Sequence, residues 1–434
     1  MEVSNSNQVV LPSMSLDETI EQIIGRFGCS QFMQAILVSV PAFFDAQQTF
    51  ISIYADAVPK WHCNTFDTSC NPKSNICKLP RNSWSWDEPS HYSIISDWGL
   101  ECASSFITSL PASSFYIGSL IGGFTLAILG DFCLGRKNLL YLSSLIMSVT
   151  ALLSAFSTNI WMYSSLRFVS GLSRSSVITC TLILITERIG KRLRSQVGTT
   201  AFFSYALGLL SLPAVAYTNR GSSWRILFLY TSIPAIFYYI ITYFFVYESP
   251  RWLFMQGRDK EAIAILKRIA SIEDRILDSY LSNIHHRQEI PKVHPYKSMK
   301  DLFKRKWALK RILAAMVIGF GVGVVYFGML LGMEKEKFIV CLLYNKWHMQ
   351  HSLCHCRQSV RNSATSLARQ AVALGSVFDP VSISIGRRNE FLSFGIFGLT
   401  ILLCGFFVIV LPETRGKALC NTMDEQESKD STMV

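Results

Sequence analysis

Charge is scarce in this chain of 434 residues: 16% are Asp, Glu, Lys or Arg, whereas 50% are apolar. That balance excludes a disordered chain, a collagen-like repeat and a small disulfide scaffold. Acids are the scarcer sign, 30 against 41 Lys and Arg, for a formal charge of +11. A basic excess can suit nucleic acid, but here the basic residues sit in short runs between long uncharged apolar stretches. That is a topological pattern, and it sets nucleic acid aside. A cleavable leader is also missing, because residues 1–30 are polar and have no apolar core behind a basic start. So are the parts of an enzyme: there is no nucleophile with an adjacent base, no phosphate-cradling glycine loop and no catalytic metal set. The expectation is a chain that is not an enzyme, needs no metal or cofactor, and keeps its N-terminus in the cytosol.

What is abundant is apolar length. A membrane span needs about 20 mostly apolar residues. Seven stretches meet that requirement before residue 335: 31–54, 108–130, 138–157, 161–186, 197–218, 226–247 and 312–333. An eighth, 391–412, is equally clean, whereas 364–386 carries Arg369 and Asp379 and is costly to insert alone. Basic residues in short loops stay on the cytosolic side. Arg188, Lys191, Arg192 and Arg194 in one loop, Arg136 and Lys137 in another, and the basic segment 248–311 therefore face the cytosol. Segment 55–107 then lies outside, and its four basic residues against six acids agree. It holds Cys63, Cys70, Cys77 and Cys102 in a compartment where disulfides persist, with three pairings open. It has no Asn-x-Ser/Thr sequon. Around 258–270, Ile263, Leu266, Ile269 and Ala270 recur at helical spacing, which predicts an amphipathic cytosolic helix.

Short motifs fall at span ends. Asp131, Gly135, Arg136 and Lys137 follow the second span, and Glu187 and Arg194 follow the fourth. Glu248 to Leu253, with Arg251, closes the sixth, and Pro412 to Lys417, with Glu413 and Arg415, closes the last. A carboxylate and a guanidinium on adjacent helix ends form charge-assisted bonds that hold a cytosolic mouth shut in one state and release it in another. Inside the spans, Asp45 is the single acid of the first six, and Arg167 and Arg174 are the cations of the fourth. An intramembrane carboxylate is functional by default. The alternative is a structural partner for one of the two arginines. Gln47 and Gln48 need polar partners, while Phe115, Tyr116, Tyr205 and Tyr326 are aromatic candidates for a pocket. Gly118 and Gly122 read as a close helix contact. Gly319, Gly321 and Gly323 loosen the seventh span, as a gating bend or a plain contact.

These motifs, with Trp61-His62-Cys63, the 44–49 segment Phe-Asp-Ala-Gln-Gln-Thr and the 360–365 segment Val-Arg-Asn-Ser-Ala-Thr, resemble the major facilitator superfamily. Within it they are similar to the organic cation and carnitine transporters of solute carrier family 22, the plant branch nearest. The resemblance spans residues 17–333 and 360–425; Asp131 departs from it by lying four residues before Gly135 where the superfamily has three. It implies an all-α polytopic membrane protein of two six-helix lobes rocking about a central site. The substrate it implies is a small organic cation or zwitterion, carnitine-like or polyamine-like, with coupling to protons or sodium left open. The expected substrate residues are Asp45, Gln47, Gln48, Phe115, Tyr116, Arg167, Arg174, Tyr205 and Tyr326. The organisation expected is a cytosolic segment 1–30, a complete N-terminal lobe 31–247, a cytosolic loop 248–311, an incomplete C-terminal lobe 312–412 and a cytosolic tail 413–434. The destination is the plasma or vacuolar membrane.

The resemblance breaks at 334–359, where His348, His351, His355, Cys354 and Cys356 crowd a stretch that stands in place of about three spans. We read it as a mis-spliced or frame-shifted segment and not as a zinc site. A span count that alternates sides then suggests that 364–386 does not cross, giving eight crossings and a cytosolic C-terminus. The alternative functional readings are a truncated product that does not transport and a sugar porter of the same superfamily.

Overall fold

The computed structural model describes residues 20, 23–25, 28–64, 70, 75–129, 134–190, 193–269, 306–332, 369–386 and 390–407. Six membrane-length units form one lobe: α1 (Cys29–Phe50), α2 (Ser105–Leu129), α3 (Arg136–Ser154), the pair α4 (Ile160–Arg174) and α5 (Val177–Arg188), α6 (Arg194–Thr218) and α7 (Trp224–Thr242). Two shorter helices follow, α8 (Pro250–Met255) and α9 (Asp259–Ile269), in the segment expected to be cytosolic. Then come α10 (Lys306–Gly332), a helical stretch at 369–377, α11 (Asp379–Gly386) and α12 (Glu390–Phe406).

Prolines and serines shape these helices. Pro41 inside α1 has no N–H to offer the carbonyl four residues back, and the Leu37 carbonyl accepts from the Tyr238 hydroxyl at 2.6 Å instead. The fourth span breaks after Arg174, where the hydroxyls of Ser173, Ser175 and Ser176 donate to the carbonyls of Val169, Leu172 and Ser173. Such bonds compete with the helical ladder. Helices in a bilayer gain little from burying apolar surface against each other, so close backbone approach carries the packing. A Cβ on Gly118 would stand 2.1 Å from the Phe168 carbonyl, and one on Gly171 1.9 Å from that of Phe115. Gly118 and Gly122 are thus contact residues on α4, and Gly321 and Gly323 press on Cys404 and Val372.

The outer loop is pinned to the bundle. Cys63 pairs with Cys70, and Cys77 with Cys102, which selects one of the three connectivities. Strands β1 (Trp61–Cys63) and β2 (Trp84–Trp86) are antiparallel, with Trp61 opposite Trp86. Asp97 accepts from Trp224 Nε1 at 3.2 Å and pairs with Arg225, which also donates to the Ala155 and Ser157 carbonyls. On the cytosolic side, Ile20, Ile23 and Ile24 meet Trp252, Leu253, Phe254, Ala262 and Leu266, so α9 is amphipathic as expected. Ala270 lies outside the described residues.

The C-terminal helices correct one expectation. Residues 369–386 do not stay outside the bundle: Gln370 lies against Gly123, and Ser113 donates to the Val377 carbonyl, so this segment runs antiparallel to α2. Packed on α2 and α10, the segment escapes the cost that Arg369 and Asp379 would meet in lipid alone. Phe327 of α10 stacks on Phe50 near the outer end of α1, so α10 also runs outward. In α12, Cys404 sits by Gly321 and Phe397 by Gly328, which makes it antiparallel to α10 and directs it inward. The described end of α10 and the described start of 369–386 thus lie at opposite ends of the bundle, and the sequence between them contains no run of about 20 apolar residues.

Two outcomes follow. An epitope tag placed after Val434 should bind antibody only in permeabilised cells; labelling of intact cells would reverse the direction of α12. Gly171→Leu should abolish the monodisperse peak of a fluorescent fusion in size-exclusion chromatography, while Gly198→Leu, where a Cβ meets nothing within 4 Å, should keep it.

Candidate functional site

The centre of the N-terminal lobe is built around charge. Asp45 is completely buried, and its Oδ1 accepts from Arg174 Nε at 2.8 Å. Arg167, two turns earlier on α4, donates to the Gln48 carbonyl and the Ser52 hydroxyl, each at 3.0 Å, and lies 4.3 Å from the centre of the Phe115 ring. Arg167 is buried and the Arg174 side chain is 13% exposed, so ring faces and oxygen acceptors take the place of most of their hydration. Gln47 donates to Ser211 of α6 and Gln48 to Thr231 of α7, at 2.7 and 3.0 Å. The two amides knit the lobe together.

Above this charged floor the rings meet across helices. Phe327 lies 5.9 Å from Phe50, 5.3 Å from Tyr116 and 5.0 Å from Tyr326, and Tyr205 lies 6.5 Å from Phe50. Arg174 reaches this group as well, 5.8 Å from the Phe327 ring centre. The structure thus gathers Asp45, Arg174, Phe115, Tyr116, Tyr205 and Tyr326 around one point, with Gln47 and Gln48 turned into the lobe. Sequence reasoning missed Phe50, Phe327 and Asp379. For Asp379 the signal was present, an acid inside an apolar stretch, but it was read as an obstacle to insertion. Pro380 interrupts the helix there and leaves Asp379 at the bend after Phe378.

The expected latch residues Glu187, Arg136, Glu248 and Arg251 lie together at one end of the lobe. The Glu248 carboxylate accepts from the backbone N–H groups of Arg136 and Lys137 at 3.1 and 3.0 Å, and from Ser249 N at 2.9 Å. An acid at a helix N-terminus meets unpaired N–H groups and the positive end of the dipole. Gly135 makes room for it: its φ is +79°, and a Cβ there would stand 2.5 Å from Glu248 Oε2. Ser249 donates its hydroxyl to Glu187, which is within electrostatic reach of Arg136 and Arg251. Arg188 is buried and donates to Gln34 Oε1 at 3.0 Å. Asp131, Glu413, Arg415 and the histidine-rich junction lie outside the described residues, as does the Arg194 side chain. Among the described residues no group of three or more His, Cys, Asp or Glu could hold a metal.

Comparison with known proteins matches residues 49–335 to the family model described as "Sugar (and other) transporter". Organic cation/carnitine transporter 2 of Arabidopsis thaliana is 44% identical, with 96% of this chain and 94% of the relative covered. Organic cation/carnitine transporter 3 of the same plant is 43% identical, covering 98% and 96%. Among solved structures, the inward open conformation of the xylose transporter XylE from E. coli aligns with a TM-score of 0.56 at 15% identity, covering 92% of this chain and 99% of that one. At that identity the likeness speaks for the fold alone. The first alignment runs over 497 positions and this chain has 434 residues, a shortfall of at least 63. At about 20 residues a span, that is the length of about three spans, and the family match ends where the atypical junction begins.

Gly135→Ala should lower the melting temperature of the purified protein more than Gly221→Ala does. Both positions have positive φ, but a Cβ at Gly221 meets nothing within 4 Å, so the difference reads the collision with Glu248. Equal shifts would mean that the Glu248 cap contributes nothing.

Proposed function

We propose that this chain, a multi-pass membrane protein that belongs to the organic cation/carnitine transporter family of the major facilitator superfamily, binds small organic cations or zwitterions and moves them by alternating access. The observation that carries this reading is the Asp45–Arg174 pair lying beneath Phe50, Tyr116, Tyr205, Tyr326 and Phe327, where α1, α2, α4 and α6 meet α10. Aromatic faces attract a quaternary ammonium, which cannot be hydrogen-bonded. The ion pair is the element with two states. Protonation of Asp45, whose Oδ2 has no partner among the described residues, would release Arg174 beside the break between α4 and α5. Proton coupling fits that arrangement, because gain of a proton by Asp45 changes the interaction that holds Arg174 to α1. The plasma or vacuolar membrane is the proposed destination.

A second reading has its own observation. Segments α10 and 369–386 both run outward, with 36 residues between them and a shortfall of about three spans against the relatives. A chain so shortened binds substrate without completing the cycle.

Uptake of radiolabelled carnitine and tetraethylammonium into proteoliposomes under an inward proton gradient tests both readings. Saturable uptake that Asp45→Asn abolishes, at unchanged reconstituted amount, supports the carrier. Unchanged uptake in Asp45→Asn removes this residue from the mechanism. Binding without flux in the unmodified chain favours the second reading, and a transcript with an in-frame insert between the codons for Gly332 and Arg361 would then restore the full carrier.

A further inference from the structure

Charge around the aromatic cluster is unequal on its two sides. On the N-terminal side, Asp45 is matched by Arg174, while Arg167 meets no carboxylate among the described residues. Two guanidinium groups against one carboxylate leave a net charge of +1 in α1 and α4, and a bare cation placed there is repelled. On the other side, at the bend between 369–377 and α11, stands Asp379. It is completely buried, and neither of its oxygens has a hydrogen-bond partner among the described residues. A buried acid left alone is costly. Its surroundings are apolar and small: Gly328 of α10, where a Cβ would lie 3.4 Å from Asp379 Oδ1, and Phe397 of α12 beside that same glycine. Tyr116 lies within electrostatic reach of Asp379, Arg167 and Arg174 alike, and its hydroxyl is buried without a partner among the described residues. Phe327, the neighbour of Gly328, packs against Tyr116 on this boundary and lies near Arg174.

A molecule that parts these rings meets guanidinium groups at one end, a carboxyl at the other, and aromatic faces and one free hydroxyl between. We infer that the site selects a zwitterion over a simple cation, with the anionic end of the substrate toward Arg174 and Arg167 and its ammonium against Asp379. The inference rests on the proposed function and deepens it. A trimethylammonium head suits Asp379 in particular. Such a head donates no hydrogen bond, so it needs no acceptor in the apolar wall of ring and glycine, where a primary ammonium would leave unsatisfied the N–H groups that Asp379 does not accept. The carboxylate of the same molecule supplies the second anion that the two arginines lack.

Equilibrium binding to the purified full-length chain tests this without requiring flux. Carnitine is compared with its methyl ester, which keeps the ammonium and removes the negative charge, and with tetraethylammonium. The expected result is that the ester binds at least about tenfold more weakly than carnitine, and that Asp379→Asn weakens carnitine by a similar factor while Asp379→Glu retains most of the affinity. Equal binding of carnitine and its ester overturns the anionic contact, and unchanged affinity in Asp379→Asn overturns the cationic one. The ester comparison uses the unmodified protein, so it decides even if Asp379→Asn misfolds. Tight binding of tetraethylammonium alongside indifference to the carboxylate would leave the proposed function standing and remove this inference. Binding of none of the three would remove both.

Discussion

Asp45 and Arg174 lie 2.8 Å apart inside a helix bundle, the carboxylate fully buried and the guanidinium side chain 13% exposed. Breaking such a pair by removing one partner leaves a buried charge uncompensated, at a cost on the order of 3–5 kcal/mol. This bond joins α1 to α4 at the level of Asp45. The same pair of helices also brings the Gln48 carbonyl and the Ser52 hydroxyl to Arg167, seven residues before Arg174 and two turns away on the same helix face. Both cations then face Phe115 on α2, at 4.3 and 5.5 Å. α2 can come this close because Gly118 and Gly171 leave the two backbones in contact.

The same economy of polar contact recurs at both ends of the lobe. Outside, Asp97 and Arg225 tie the disulfide-bonded loop to the tops of the helices. At the other end, the Glu248 carboxylate caps α3 through backbone N–H groups, so a helix terminus takes part in holding the mouth. A cap of this kind depends on the path of the backbone at Gly135 and is less sensitive to the length of any one side chain. It is well suited to a joint that must hold while the lobe moves as a body.

Much of the lobe was legible beforehand. Apolar length and the basic loops give its spans and their direction, because the bilayer leaves few alternatives to a helix of about 20 residues. The four loop cysteines, Asp45 with the arginines of the fourth span, and the amphipathic helix after residue 258 could all be read in the same way. The cysteine pairing could not, since it depends on how residues 64–101 fold back. Nor could the choice between Arg167 and Arg174 as the partner of Asp45, because both lie on one face of the helix and only the level at which each meets α1 separates them. Phe50 and Phe327 were hidden among the chain's 29 phenylalanines.

Composition and charge pattern by themselves determined that this is a polytopic helical membrane protein with eight clean apolar stretches; the expectation of a complete first lobe and a shortened second came from the family resemblance. Composition and charge pattern are one-dimensional quantities, and the bilayer reads them directly. Tertiary structure alone decided which buried charges are matched and which are left over. Arg174 is neutralised by a residue 129 positions away, whereas Arg167 and Asp379 are not neutralised by any acid or base among the described residues. It also decided that 369–386 lies inside the bundle, because the cost of inserting a charged helix depends on the surfaces it meets there.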